Sequence, residues 1–230
     1  MKKMPLLLIL YFLFGIVHLV ALDHHNTDVD RITKYALMPL LMAYVFIQRK
    51  KELRSIATLC MALFFSWAGD AFLLYTANAE IYFTLGLGMF LLAHIFYILQ
   101  FRKSMFKSVS AFSKRSWVFL PVILYSGLLL TLIIPGLGDM LVPVIIYALV
   151  ITLMFIAAMD RFGRTNMLSY RLAFIGAALF ILSDSMIAIN TFYKPFNYAS
   201  LAIMTTYIAA QFLIVQGILS HSDVRSGEEV

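Results

Sequence analysis

The chain has a single cysteine, Cys60, and it lies in an apolar run. An internal disulfide is therefore excluded, and no CxxC pair is available to hold a metal. Cys60 reads as a small buried hydrophobe. Charge is equally sparse: Asp, Glu, Lys and Arg make up 13% of the residues, against about a quarter in a soluble domain. No polar stretch is long enough to fold by itself, so a separate soluble domain is excluded. There is no HExxH motif, and no internal repeat stands out. The alternation of apolar and polar residues that marks a membrane β-barrel strand is also missing.

What the chain does have is apolar length. Of its 230 residues 62% are hydrophobic, and the mean hydropathy is +0.89. Eight apolar stretches are each near the roughly 20 residues that cross a bilayer as a helix. They cover residues 4–22, 32–48, 54–75, 81–101, 116–134, 140–159, 168–190 and 198–219. The expected fold is all-α: a polytopic transmembrane helical bundle of eight spans, forming a single transmembrane domain over residues 1–230. The first stretch is read as a retained helix. It is long for a signal peptide, and no small-x-small cleavage site precedes Asp23.

The net charge of +6 would suggest nucleic acid in a soluble protein. Here the loops account for it. With Lys2 and Lys3 inside, the inner side also collects Arg49, Lys50, Lys51, Arg54, Arg102, Lys103, Lys107, Lys114, Arg115, Arg161, Arg164, Arg171 and Arg225. Only Arg31, Lys34 and Lys194 fall on the other side. Such an asymmetry puts both termini in the cytoplasm and requires an even number of spans. The basic, Ser-rich loop from Arg102 to Arg115 is expected to lie on anionic headgroups. The segment from Ser220 to Val230 reads as a polar, loose tail.

Two carboxylates break the apolar pattern. Asp70 lies in Phe64-Phe65-Ser66-Trp67-Ala68-Gly69-Asp70-Ala71-Phe72, and Asp184 in Phe180-Ile181-Leu182-Ser183-Asp184-Ser185-Met186. A carboxylate at membrane depth costs at least a few kcal/mol and by default marks a functional site. In the eight-span topology both fall in the outer halves of their helices. Lys34 is near the outer end of the second helix, and His18 is in the outer part of the first. Charges gathered at one depth point to a polar pocket opening toward the outer leaflet.

Helical spacing groups further side chains. Ser66 and Asp70 share a face, as do His94 and Tyr97, and Tyr207 and Gln211. Gly86, Phe90, Ala93 and Tyr97 form a close-packing seam on the fourth helix. Gly176, Phe180, Ser183 and Asp184 form another on the seventh, with Asn190 on the face of Ser183. Each group also has a plainer reading. Either Asp can be a hydrogen-bonder between helices, His94 a packed core histidine, and Lys34 a side chain that snorkels to the headgroups. His24 and His25 with Asp23, Asp28 and Asp30 look like metal ligands, but in a loop they read as a solvated acidic patch.

At these residues the chain resembles the YhhN-like lysoplasmalogenases, a family of eight-span integral membrane hydrolases. The resemblance is carried in order by Thr33-Lys34 with Pro39-Leu40-Leu41; Phe65-Ser66-x-x-Gly69-Asp70; Gly86-Leu87 with Phe90-Leu91-x-Ala93-His94-x-x-Tyr97; Gly176-Ala177-x-x-Phe180-x-x-Ser183-Asp184; and Tyr207 with Gln211. One departure is that the family lysine is commonly followed by proline, whereas Tyr35 follows Lys34 here. The resemblance implies hydrolysis of the vinyl ether bond of a lysoplasmalogen to a fatty aldehyde and a glycerophospho-alcohol. The implied partners are a lysophospholipid substrate, water and the bilayer, with no nucleic acid. The implied place is a bacterial inner membrane.

The residue chemistry fits that task. A vinyl ether is protonated on its β-carbon, and water then adds to the resulting oxocarbenium ion. The task needs an acid, a stabilising negative charge and a base for the water. Two carboxylates serve such roles in glycoside hydrolysis. Asp70 and Asp184 are thus the expected catalytic pair. Lys34 is expected to bind phosphate or bias the pair's charge. Ser66, His94, Tyr97, Ser183, Asn190, Tyr207 and Gln211 are expected to position substrate. The scheme calls for no metal and no cofactor. Competing readings are a proton-coupled transporter of a lipid or small amphiphile, a metal-dependent hydrolase built on His94 with His18 and the Asp residues, and a purely structural membrane protein.

Overall fold

The computed structural model describes residues 5–49, 53–76, 79–106, 110–112 and 115–227. Lys2, Lys3, Lys50, Lys51, Lys107 and Lys114, which the orientation argument uses, lie outside the described residues, as does the side chain of Arg225. Eight α-helices are described: α1 Pro5–Asp23, α2 Thr27–Gln48, α3 Leu53–Leu73, α4 Glu80–Lys103, α5 Leu120–Ile133, α6 Leu141–Met159, α7 Met167–Phe192 and α8 Ala199–Gly227. Short 3-10 turns flank α5 and lead into α6, and no strand occurs among the described residues. The architecture is all-α and polytopic. Among the described residues seven helical stretches are long and apolar enough to cross a membrane; α2 is not among them. Many large apolar side chains point outward, Leu128 at 70% and Ile32 at 66% exposure among them. An exterior of this kind suits a lipid solvent.

The helix bounds differ from the expected spans chiefly at α2 and α8. α2 begins at Thr27, five residues before the apolar run. The Asn26 side chain accepts a hydrogen bond from Val29 N at 3.2 Å, and Asp28 and Asp30 occupy the first turn. An Asx cap with acidic residues behind it stabilises a helix start. These extra residues include Asp28, Asp30 and Arg31. α8 continues to Gly227, which corrects the reading of a loose tail from Ser220. Within it Ser220 Oγ donates back to Gln216 O at 2.7 Å, one turn earlier.

The chain forms two compact units, Met1–Tyr97 and Ile98–Val230. In the first, α1 packs on α2, and α2 on α3. Thr33, Leu37, Leu41, Tyr44 and Val45 form the buried stripe of α2 at helical spacing. Trp67 Nε1 on α3 donates to Tyr35 O on α2 at 3.1 Å. Two glycines set the approach of α3 and α4. A Cβ at Gly69 would lie 2.6 Å from the Phe90 ring, and one at Gly86 would lie 2.8 Å from Leu73. Phe65 and Phe96 stack beside them with centroids 5.4 Å apart. Phe90, Ala93 and Tyr97 are buried, so the expected seam on α4 exists.

In the second unit α7 and α8 make the most extensive contact. A Cβ at Gly176 would lie 2.8 Å from Ile214 N, and one at Gly217 would lie 2.6 Å from Ala173 N. The two backbones touch where glycine removes the side chain, the packing that small residues permit in lipid. Asn166 caps α7 by accepting from Ser169 N at 2.8 Å. Arg161, read from sequence as a loop charge, is fully buried. It donates to Phe101 O at 3.2 Å, Ser104 Oγ at 2.6 Å and Ser169 Oγ at 2.7 Å. It also sits 5.4 Å from the Phe101 ring centroid. The guanidinium thereby satisfies the carbonyl end of α4, a place where cations are favoured. Burial lowers its pKa to about 10, so it keeps its charge at neutral pH.

Candidate functional site

Each carboxylate is held in its own unit by a different partner. Asp70, in the last turn of α3 but one, is 3% exposed. Lys34 Nζ lies 3.8 Å from Asp70 Oδ1, with the Lys34 side chain 14% exposed. Lys34 therefore turns inward to the carboxylate and does not snorkel. The pairing follows from the sequence: α2 presents Lys34 one turn after Asp30, on the α3 side, and Gly69 beside Asp70 leaves room for α4.

Other polar groups line the same part of the first unit. Ser66 is one turn before Asp70 on α3; it is buried, and its Oγ has no hydrogen-bond partner among the described residues. His94 and Tyr97 on α4 are fully buried. Tyr11 of α1, also fully buried, lies within electrostatic range of both Asp70 and Tyr97. His18 of α1 is fully buried. Its Nδ1 is 3.0 Å from Thr33 Oγ1 and 3.1 Å from Asp30 Oδ1. From the sequence His18 is noted for its depth and in the metal-dependent alternative, Asp30 reads as part of a solvated acidic patch, Thr33 enters only through the family motif, and Tyr11 has no place in a site. Tyrosine, threonine and a first-turn aspartate are common in ordinary helices, so no local signal marks them.

Asp184 is half-buried on α7, and the Tyr147 hydroxyl of α6 donates to its Oδ2. Around them is a cavity of about 50 Å³ lined by Tyr125, Ser126, Tyr147, Asp184 and Ser185 with Leu129, Ile133, Val144 and other apolar side chains. A water needs roughly 10–15 Å³ of such space, so the cavity has room for several. Its hydroxyls are paired off. Tyr125 OH donates to Ser185 Oγ at 2.8 Å, and Ser185 Oγ to Ile181 O at 2.7 Å. Ser126 and Thr152 hydroxyls are 2.7 Å apart. Tyr147 is the residue sequence reasoning missed here: a lone tyrosine in an apolar run reads as an interface anchor.

The remaining expected positioning groups of this unit lie along α7 and α8. Ser183 Oγ donates to Ile203 O of α8 at 3.0 Å. Tyr207, nearly buried, meets the Phe180 ring edge-on with centroids 5.6 Å apart. Gln211 is fully buried one turn further on. Asn190 Oδ1 accepts from Phe196 N at 3.3 Å in the α7–α8 connection. His24 and His25 are exposed. Among the described residues no three His, Cys, Asp or Glu side chains converge as a metal ion would need.

Each unit by itself places a carboxylate among polar groups in an apolar interior, beside a cation in the first and beside hydroxyls in the second, and a carboxylate so placed is suited to acid–base chemistry. The YhhN family model matches residues 29–218. The chain is 35% identical over 159 residues to the human lysoplasmalogenase TMEM86B, covering 69% of this chain and 62% of that protein. It is 33% identical over 161 residues to the bovine lysoplasmalogenase TMEM86A, covering 67% of this chain and 62% of that protein. It is 31% identical over 166 residues to the human lysoplasmalogenase TMEM86A, again 67% and 62%. The match thus spans less than two thirds of the length of these relatives. No solved structure matches the chain.

Proposed function

The chain belongs to the YhhN family, and from that premise we propose that it is a membrane hydrolase of lysoplasmalogens or closely related lysolipids. The observation that carries the reading is the buried Lys34–Asp70 ion pair, 3.8 Å apart, between α2 and α3 of a chain similar to curated lysoplasmalogenases. A buried pair of this kind is costly to build and marks function more often than stability.

In the proposed reaction a carboxylic acid delivers a proton to the β-carbon of the vinyl ether. The ether carbon becomes an oxocarbenium ion, held by the negative charge of an ionised carboxylate. Water adds to that carbon and gives up a proton. The hemiacetal then breaks its bond to the glycerol oxygen, which takes a proton and leaves as the glycerophospho-alcohol. The other product is the fatty aldehyde. Asp70 and Asp184 are assigned as the catalytic pair, one the acid and the other the base or the stabilising charge. Lys34 is assigned to the phosphate or to the charge of Asp70. Ser66, His94, Tyr97, Ser183, Asn190, Tyr207 and Gln211 are assigned to positioning. The scheme uses no metal and no cofactor.

The membrane placement belongs to the same proposal. α2 acts as the eighth span, its charged first turns at the outer end, with both termini in the cytoplasm of a bacterial inner membrane and the whole chain working as one transmembrane domain. The substrate chain lies between helices and its headgroup at the outer surface. The test is to incubate the purified protein with a panel of lysolipids and detect aldehyde by mass spectrometry. Asp70→Asn and Asp184→Asn are expected to fold and to lose activity by about 10²–10⁴-fold, the usual scale for an acid or base. Full activity in either variant removes that residue from the mechanism. Proton-driven movement of an intact lysolipid with no aldehyde replaces the hydrolase reading by the transporter one.

A further inference from the structure

Among the polar groups near the Lys34–Asp70 pair, His18 Nε2, Asp30 Oδ1 and Ser66 Oγ are buried with no hydrogen-bond partner among the described residues, and the first of these is a ring nitrogen. His18 Nδ1 faces two oxygens, Thr33 Oγ1 at 3.0 Å and Asp30 Oδ1 at 3.1 Å. Thr33 Oγ1 spends its own hydrogen on the carbonyls of Val29 and Asp30, at 2.7 and 3.0 Å. It therefore meets the imidazole as an acceptor, and a carboxylate oxygen is an acceptor as well. Nδ1 must carry the hydrogen, which places the lone pair of the neutral ring on Nε2. Nε2 is buried and has no hydrogen-bond partner among the described residues. A buried acceptor left bare is costly, and such atoms normally meet a donor from protein or ordered water.

The place of that lone pair gives it a use. α2 is the helix packed against α1. The groups it turns toward the imidazole are Asp30, Thr33 and Lys34. Asp30 and Lys34 are four apart, so they share a face, and Lys34 reaches Asp70 of α3. Thr33 holds the ring through its hydrogen bond to Nδ1. The Asp30 carboxylate, with Oδ1 3.1 Å from Nδ1 and no hydrogen bond to that oxygen among the described residues, is placed to stabilise the imidazolium that forms when Nε2 takes a proton, as the carboxylate of a hydrolase dyad does. The Asp30 side chain is 20% exposed, so the dyad also touches the outside. The family match begins at residue 29, so His18 lies ahead of everything that match describes.

We propose that His18, oriented by Thr33 and charge-paired with Asp30, is the base that takes a proton from the water attacking the oxocarbenium carbon. The proposal rests on the hydrolase reading above and fills the role of base in it. As the new carbon–oxygen bond forms, one water O–H bond breaks and its proton goes to Nε2. When the hemiacetal collapses, the imidazolium returns that proton to the departing glycerol oxygen, and the hemiacetal hydroxyl gives its own to an ionised carboxylate. Protons balance over the cycle, and no oxidant or further reactant is needed.

Two measurements on the full chain in lipid nanodiscs test this. Nitrogen NMR of ring-labelled histidine is expected to show His18 protonated on Nδ1 and bare on Nε2 near neutral pH, with the signal altered in Asp30→Asn. The pH–rate profile of aldehyde release from an alkenyl lysophosphoethanolamine is expected to fall on the acid side as His18 takes up a proton. His18→Gln keeps hydrogen-bonding capacity without the base. It is expected to lower kcat by about 10²–10⁴-fold with KM little changed, and to abolish the acid-side fall. Asp30→Asn is expected to lower kcat less and to move that fall along the pH axis. A His18 ring protonated on Nε2 overturns the proposal. So does His18→Gln with the wild-type rate and pH profile. A wild-type protein that gives no aldehyde, with the expected tautomer present, overturns the hydrolase reading while the tautomer still supports the dyad.

Discussion

Asp70 and Asp184 each sit in an apolar helix with a serine nearby, yet their surroundings differ. Asp70 is almost sealed and faces a lysine ammonium. Asp184 is half-buried, accepts from the Tyr147 hydroxyl and borders a small cavity. One carboxylate is compensated by charge, the other by a hydroxyl and by space for water. The first arrangement is costly to disturb because removing one partner leaves a buried charge uncompensated. The second tolerates more, because water can replace a lost hydroxyl.

The sharpest way to break this contrast is Lys34→Met. It is expected to cost about 3 kcal/mol of stability, the scale for breaking a buried pair from one side, and to reduce aldehyde release by at least about 10²-fold. Thermal unfolding in detergent reads the first and mass spectrometry the second. Adding Asp70→Asn to Lys34→Met is expected to restore much of the stability and none of the activity. The glycines extend the contrast to packing. At Gly69 a new methyl meets the Phe90 ring, a side chain, whereas at Gly176 it meets the backbone of Ile214 and Ala210. Gly176→Ala is therefore expected to be the worse of the two, costing about 2–3 kcal/mol as α7 and α8 are forced apart.

Tyr147→Phe probes the other side of the comparison. It is expected to cost about 1.5 kcal/mol, the low end for a hydrogen bond to a charged group. A loss as large as that of Lys34→Met would erase the distinction between the two carboxylates. His24→Ala, in the exposed turn after α1, is expected to stay within about 0.5 kcal/mol of wild type and to leave turnover unchanged.

Much of the helical frame was legible because apolar length is a strong signal. α3, α4, α6 and α7 start and end within two residues of the stretches read from hydropathy alone. The early start of α2 was not, since its first turns are polar and rest on the Asn26 cap. Polar composition likewise concealed the continuation of α8 to Gly227. The Gly86–Tyr97 and Gly176–Phe180 seams were visible from small-residue spacing. The Lys34–Asp70 contact was foreshadowed only by shared depth. Partners contributed by other helices were invisible: Tyr147 to Asp184, Thr33 and Asp30 to His18, and Ser104 and Ser169 to Arg161. Nothing in the local sequence of Arg161 separates a surface loop charge from a buried clamp on carbonyls, because the difference lies in residues far along the chain.

The central claim is that a carboxyl group of this chain protonates the β-carbon of a vinyl ether. Turnover of an alkenyl lysolipid in deuterium oxide tests it directly. The account requires the released aldehyde to carry one deuterium on the carbon next to the carbonyl, and Asp70→Asn and Asp184→Asn to release almost none. Aldehyde formed without that deuterium, or formed at the wild-type rate by both variants, contradicts it.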